Sequence, residues 1–303
     1  MVASFRFLFL LAVLLPLPAG AGDGFAVRLL VSDDNSYAQR AGVRLEALLR
    51  QAEPAITQEP WAPGASGRRL TVTVGAKAWR SYGAEAEMEG PVLAVAPTRP
   101  AFEEYHRTGG QVAAIHLEMP PGRIFNLIQA AMPQRTAVGM LASVSTLVGP
   151  QSRGQLGRFE ASAAERGLRL VSEMVEAENE VGPAVERLVR QSAVFLAMPD
   201  PVVHTANTVQ PLLLLTYRAS VPVIGYSESY LKAGAILAIY ATPEQIAQQA
   251  FETILAYRQG KALPATQVPR YYTVRINDTV ARSLGLTLPL AVDLEGRLRQ
   301  MRE

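Results

Sequence analysis

Short apolar runs recur along this chain, each followed by a stretch with helical spacing, and that alternation limits the possible fold more than any other feature. The runs at 26–31 (AVRLLV), 70–74 (LTVTV), 91–96 (PVLAVA) and 112–117 (VAAIHL) are rich in aliphatic and β-branched residues and end in turn formers. That is the pattern of buried strands. Helices are expected at 37–51 and 76–87, with a helical turn at 102–107. The order βαβαβαβ predicts a parallel sheet with helices on both faces. Pro120-Pro121-Gly122 then breaks the chain, and the alternation restarts. Helices are expected at 124–132, 151–166, 181–191 and 206–219, and strands at 136–142, 168–175, 193–198 and 221–226. Each strand–helix unit is roughly 25–30 residues long, as βαβ packing requires.

The stretch 221–260 breaks the rhythm. Two apolar runs, 221–226 and 235–240, are separated only by a short polar link ending in Gly234. Thr242-Pro243-Glu244-Gln245 then forms a capping box with proline at the first helical position. Ile246, Ala247, Ala250, Phe251 and Ile254 mark one face of the helix that follows, and Gly260 is its expected stop. With no evident room for a helix between the two runs, they are expected to belong to different sheets. The fold class predicted is α/β, two doubly wound parallel-sheet lobes joined by a three-crossing hinge. Lobe I would be 22–119 plus 235–262, and lobe II 120–226 plus 268–303. Crossings would lie at 227–234 and 263–267, besides the break near 120. A strand at 271–276, a short helix at 279–284 and a polar tail from 290 complete the chain.

At 303 residues, 49% apolar and 18% charged, the chain can bury one large or two medium cores. Its formal net charge is +2, with no basic run, so nucleic acid is not an expected partner. Arg6, the apolar run 7–15, Pro16-Leu17-Pro18 and Ala19-Gly20-Ala21 have the three-part layout of a secretory signal peptide spanning 1–21. The chain has no cysteine. An exported chain of this kind relies on its core rather than on disulfides, and it cannot carry a lipid on a cysteine at the cleavage site. A soluble periplasmic protein is therefore expected, and not a lipoprotein.

Enzyme signatures are not legible. There is no G-x-S-x-G elbow, no Walker A sequence and no G-x-G-x-x-G between strand and helix. His106, His116 and His204 lie far apart without metal-ligand spacing. Glu173, Glu176, Glu178 and Glu180 read as a solvated loop. No catalytic residue, metal site or cofactor is expected, and a hydrolase would need a nucleophile–base pair that the sequence does not offer. The polar ends of strands are better candidates, because open parallel sheets bind ligands outside the carboxyl ends of their strands. Those positions are Asp33, Ser36, Tyr37, Thr98 and Arg99 in the first half. In the second they are Ser143, Ser145, Asp200, Tyr226, Glu228 and Tyr240. Taken singly, Asp33, Ser36 and Asp200 are as well explained as helix caps or turn formers.

The segment from Ala193 to Pro289 resembles the ABC-transporter substrate-binding family of tryptophan/tyrosine-type transport components. The resemblance rests on Met198-Pro199-Asp200-Pro201, Val221-Pro222-Val223 and Lys232-Ala233-Gly234-Ala235. It continues through Tyr240-Ala241-Thr242-Pro243-Glu244 to Asn277, Ala281, Leu284-Gly285-Leu286 and Pro289. It implies a type I periplasmic-binding fold that closes around a small-molecule solute, such as an amino acid, and docks as a monomer to ABC permease subunits. The amino-terminal half departs from the family: Leu48-Leu49-Arg50-Gln51 runs into a proline-containing loop where a Gly-Tyr ending is usual. A periplasmic accessory or sensor protein of the same fold is the alternative this departure suggests.

Overall fold

A computed structural model describes residues 25–52, 69–84, 90–104, 111–147, 154–264 and 266–302. The expected signal peptide and His106 lie outside the described residues. The first unit contains β1 (Ala26–Val31), α1 (Ser36–Ala52), β2 (Arg69–Val74), α2 (Ala76–Gly83), β3 (Val92–Val95), α3 (Arg99–Glu104) and β4 (Val112–Ile115). After α4 (Pro121–Ala131) come β5 (Ala137–Ser143), α5 (Val144–Leu147), α6 (Gln155–Ala164), β6 (Arg169–Val175), α7 (Val181–Val189) and β7 (Val194–Leu196). The chain continues through α8 (Val209–Arg218), β8 (Val223–Gly225), α9 (Glu228–Ala233), β9 (Leu237–Tyr240) and α10 (Pro243–Arg258). It ends with β10 (Thr266–Gln267), β11 (Thr273–Ile276), α11 (Asp278–Ser283) and α12 (Ala291–Leu298).

Two sheets result, in the orders β1-β2-β3-β4-β10 and β11-β9-β8-β7-β5-β6. The pairings are parallel except that of β11 with β9. Strands covered on both faces must be apolar throughout, and β3 and β4 are buried at every position. In the second sheet, Phe125 of α4, Phe159 of α6 and Leu294 of α12 pack on one face, while Val185 of α7, Leu212 of α8 and Tyr230 of α9 pack on the other.

The two runs of the 221–260 stretch share one sheet, contrary to the sequence expectation. β9 pairs in parallel with β8, Ile224 opposite Leu237, and antiparallel with β11. The crossover is made by the six-residue α9. Ser227 caps it by accepting from the Tyr230 N–H at 3.1 Å, and Gly234 ends it at φ 135°, where a side chain would be strained. The connection at 227–234 therefore stays within lobe II. The chain passes to lobe I only at Ala241-Thr242, where the capping box starts α10: Thr242 N–H donates to Gln245 Oε1 at 2.9 Å and Gln245 N–H to Thr242 Oγ1 at 3.2 Å. α10 packs on α1 and β3.

The expected crossing at 263–267 is displaced as well. Thr266 and Gln267 pair with Ala114 and Ile115 as a fifth strand of the first sheet, and the return to lobe II runs through residues 268–272. The first crossing lies between β4 and α4, at the Pro120-Pro121 break. Three crossings are present, two of them shifted from where the apolar pattern placed them.

The steps from β1 to β2, β2 to β3 and β3 to β4 all run the same way across the first sheet. Leu45 and Leu49 of α1 share a core with α10 on one face, whereas Trp79 of α2 and Phe102 of α3 pack on the opposite face. α1 therefore lies on the face of the sheet opposite α2 and α3.

Candidate ligand-binding cleft

A cavity of about 570 Å³ lies where the carboxyl ends of both sheets face each other. The first lobe lines it with Ser36, Tyr37 and Arg40 from the start of α1, Arg99 from the start of α3, and Leu117 and Glu118 after β4. The second lobe contributes Gln155, Arg158 and Phe159 of α6 and the segments that follow β7, β8 and β9. All three crossings reach it, through Met119 to Pro121, Ala241 to Pro243, and Val268. Such a position follows from the fold, since loops and helix N-termini gather at the carboxyl ends of parallel strands.

Six of the eleven positions proposed from the sequence line this cleft: Ser36, Tyr37, Arg99, Tyr226, Glu228 and Tyr240. Tyr37 Oη donates to the Ala241 carbonyl at 3.0 Å, which joins α1 to the second crossing. Burial, reinforced by the nearby Glu244 charge, pushes the Tyr37 phenol far above its usual range. Tyr226 stands against Tyr230 and His204, with ring centroids 5.2 and 5.7 Å away. Burial and then the Asp200 charge raise its phenol to about 12. It is thus a neutral, rigid wall with a hydroxyl at its tip. Glu228 pairs with Lys232 at 2.8 Å, one turn further along α9.

The other five do other work. Asp33 pairs with Lys77 at 2.6 Å on the surface. Thr98 caps α3 weakly, accepting from the Ala101 N–H at 3.4 Å. Asp200 is fully engaged inside lobe II: Oδ2 accepts from the Ser143 N–H at 2.7 Å and Ser143 Oγ at 2.9 Å, and Oδ1 from the Val202 and Val203 N–H groups at 2.8 and 2.9 Å. Burial alone would raise its carboxyl, but the N–H donors of Ser143, Val203 and Val202 hold it below the usual range. Ser145 Oγ lies 2.9 Å from Ser143 Oγ and extends the same network. Asp200 and Ser143 are the joint between the ends of β5 and β7 rather than part of the cleft wall.

The sequence reading passed over Arg40, Glu118, Gln155, Arg158, Phe159 and Glu244. Glu118 Oε1 accepts from the Arg99 N–H at 2.8 Å. Its other oxygen is buried without a hydrogen-bond partner, as is Gln155 Oε1. Burial pushes the Glu118 carboxyl up. Among the described residues no group of three or more His, Cys, Asp or Glu is placed to hold a metal ion, and no helix is long and apolar enough to cross a membrane.

Residues 68–296 match the family model for ABC transporter substrate binding proteins. The chain belongs to that family. The match begins at β2 and leaves out β1 and α1. No curated protein matches the sequence. Solved structures reproduce the fold at low identity. One is an ABC domain from Streptococcus pneumoniae in complex with L-Trp, with a TM-score of 0.60 and 18% identity over 88% of this chain and 96% of that one. A ligand-free, open substrate binding protein with adhesive properties from Clostridium difficile gives a TM-score of 0.63 and 14% identity, covering 88% of this chain and 95% of that one. A conserved domain protein from Vibrio cholerae gives 0.58 and 20%, covering 90% and 97%. At these identities the likeness establishes two α/β lobes of the periplasmic-binding type. As a family member, the chain is a substrate-binding protein rather than a member of an enzyme family.

Proposed function

We propose that this protein is a periplasmic solute-binding component of an ABC importer, working as a monomer that traps a small molecule between its lobes and offers the closed form to permease subunits in the inner membrane. The observation that carries this reading is the cleft itself. About 570 Å³ is within the range of pockets that enclose metabolite-sized ligands. Its walls come from two lobes linked by three crossings, an arrangement suited to hinge closure. Ser36, Tyr37, Tyr226, Glu228 and Tyr240 are the proposed contacts, with Arg40, Glu118, Gln155 and Phe159 added by the geometry. Among the described residues no histidine lines the cavity, and the chain has no cysteine, which favours binding over nucleophilic catalysis. The L-Trp bound to the Streptococcus structure makes aromatic amino acids one group of solutes to try.

A second reading, a periplasmic accessory or sensor protein of the same fold, is favoured by one observation: the family match omits β1 and α1. A permease and an ATPase encoded next to this gene support import, whereas their absence supports the accessory role. The direct test is a thermal-shift panel of amino acids, short peptides, sugars, organic acids and metal ions on the purified protein. A specific solute at a hundred times its dissociation constant stabilises the fold by about 2.7 kcal/mol. No shift with any class of compound overturns the solute-binding reading.

A further inference from the structure

We infer that the solute is an organic anion without an ammonium group, a carboxylate on an aromatic or aliphatic body, held between Arg99 of the first lobe and Arg158 of the second. This deepens the solute-binding reading and rests on it.

Both arginines line the cavity, one from each wall. Among the described residues neither makes an ion pair. Burial, and then the Arg99 charge, lowers the Arg158 guanidinium from its ordinary value against the opposing pull of Glu103. Two guanidinium groups at one cleft, neither in an ion pair among the described residues, suit a carboxylate, which can accept from guanidinium forks.

The surroundings of the pair point the same way. Gln155 opens α6 one turn before Arg158. It is only 6% exposed, and its Oε1, an acceptor without a partner, calls for a donor on the body of the solute rather than for the carboxylate. Gly154, the N-cap of α6, supplies no side-chain cap, so that end of the helix favours negative charge. Glu118 has a buried, unpartnered Oε2 and a carboxyl raised by burial. In its protonated form it is a donor to a second ligand oxygen.

The acids lining the cavity offer an ammonium group less: Glu228 is bonded to Lys232 and burial pushes the Glu118 carboxyl up, which leaves Glu244 beside Tyr37. Phe159, Ile124 and Met198 supply an apolar surface for the body of the solute.

The test uses pairs of compounds that differ by the ammonium group alone. Indole-3-propionate is compared with L-tryptophan, and 3-phenylpropionate with L-phenylalanine, by calorimetric titration of the purified protein. Binding of the deaminated acids is expected to be at least tenfold tighter than that of the amino acids. Arg158→Gln and Arg99→Gln are each expected to weaken it at least tenfold while the thermal melt shows an intact fold. Tighter binding of the amino acids, or acid binding unchanged in both variants, overturns the inference. Binding of a neutral solute such as a sugar in place of any acid also overturns it, yet leaves the solute-binding reading standing. Absence of binding by every compound class sinks both together.

Discussion

Tyr37 and Ala241 stand 204 positions apart in the chain and are joined by one hydrogen bond, from the Tyr37 hydroxyl to the Ala241 carbonyl at 3.0 Å. Tyr37 sits in the first turn of α1, and Ala241 lies where the chain leaves the second sheet for the first. The bond therefore ties a helix of lobe I to a moving part of any hinge. Tyr37→Phe removes the hydroxyl and keeps the ring, at an expected cost of about 1 kcal/mol. Denaturant unfolding reads the stability, and small-angle scattering reads the separation of the lobes. The variant should be slightly less stable and, without ligand, more extended. An identical scattering profile would show that the bond does not bias the lobes.

Asp200→Ala separates a structural role from a ligand role. The substitution strips partners from the N–H groups of Ser143, Val202 and Val203 and from the Ser143 hydroxyl. Leaving buried donors unmet should destabilise the protein by about 3 kcal/mol. Because Asp200 does not line the cleft, ligand affinity below the melting range should change little. A large loss of affinity with an unchanged melt would place Asp200 in the site after all.

Two buried histidines make the fold sensitive to acid. Burial, followed by the Arg99 charge, lowers His116 to about 4, and burial lowers His204 to about 4 against the opposing pull of Asp200. A histidine with a depressed folded-state value favours the native state fully above its unfolded value near 6.5. That advantage fades as the pH falls from there toward 4, because the unfolded chain takes up the proton first. Each histidine accounts for roughly 3 kcal/mol across the window. Urea midpoints at pH 7 and pH 4.5 should show the loss, and His116→Phe should remove about half of it, His204 retaining its share. Superimposed pH profiles for the variant and the natural protein would refute the buried, neutral state of His116.

Local signals in the sequence proved accurate where a local interaction decides the structure. The capping box at Thr242, the proline break before α4 and the glycine stop after α10, Gly260 at φ 95°, all formed where the residues place them. The strands were legible because both faces are covered, which leaves unbroken apolar runs. The partnership of those strands was not legible. β9 joined β8 because six residues and one glycine with positive φ suffice to cross a sheet, and a link that short carries no periodicity to recognise. Thr266-Gln267 is too short and too polar to announce itself as a strand; its backbone is ordered by the open edge of β4.

The candidate site divides in the same way. Tyr37, Tyr226 and Tyr240 stand at ends of apolar runs or at the first turn after one, so the rule that parallel sheets bind ligands at their carboxyl ends reached them. Asp200 obeyed that rule in position but turned inward, because four donors of its own lobe surround it. Gln155 and Arg158 occupy ordinary helix positions, and nothing in their neighbours in sequence marks them.

By itself, the sequence determined the α/β class, the number of lobes and the local starts and stops of the elements, since these depend on apolar periodicity and on contacts within a few residues. The tertiary structure alone decided which sheet received β9 and β10, the face on which α1 packs, and the placing of Arg99 and Arg158 on the walls of one cleft. Those outcomes depend on contacts between segments as far apart as Ala114 and Thr266. They are set by which edges and faces remain uncovered when the lobes assemble, and that information is held by no single stretch of the chain.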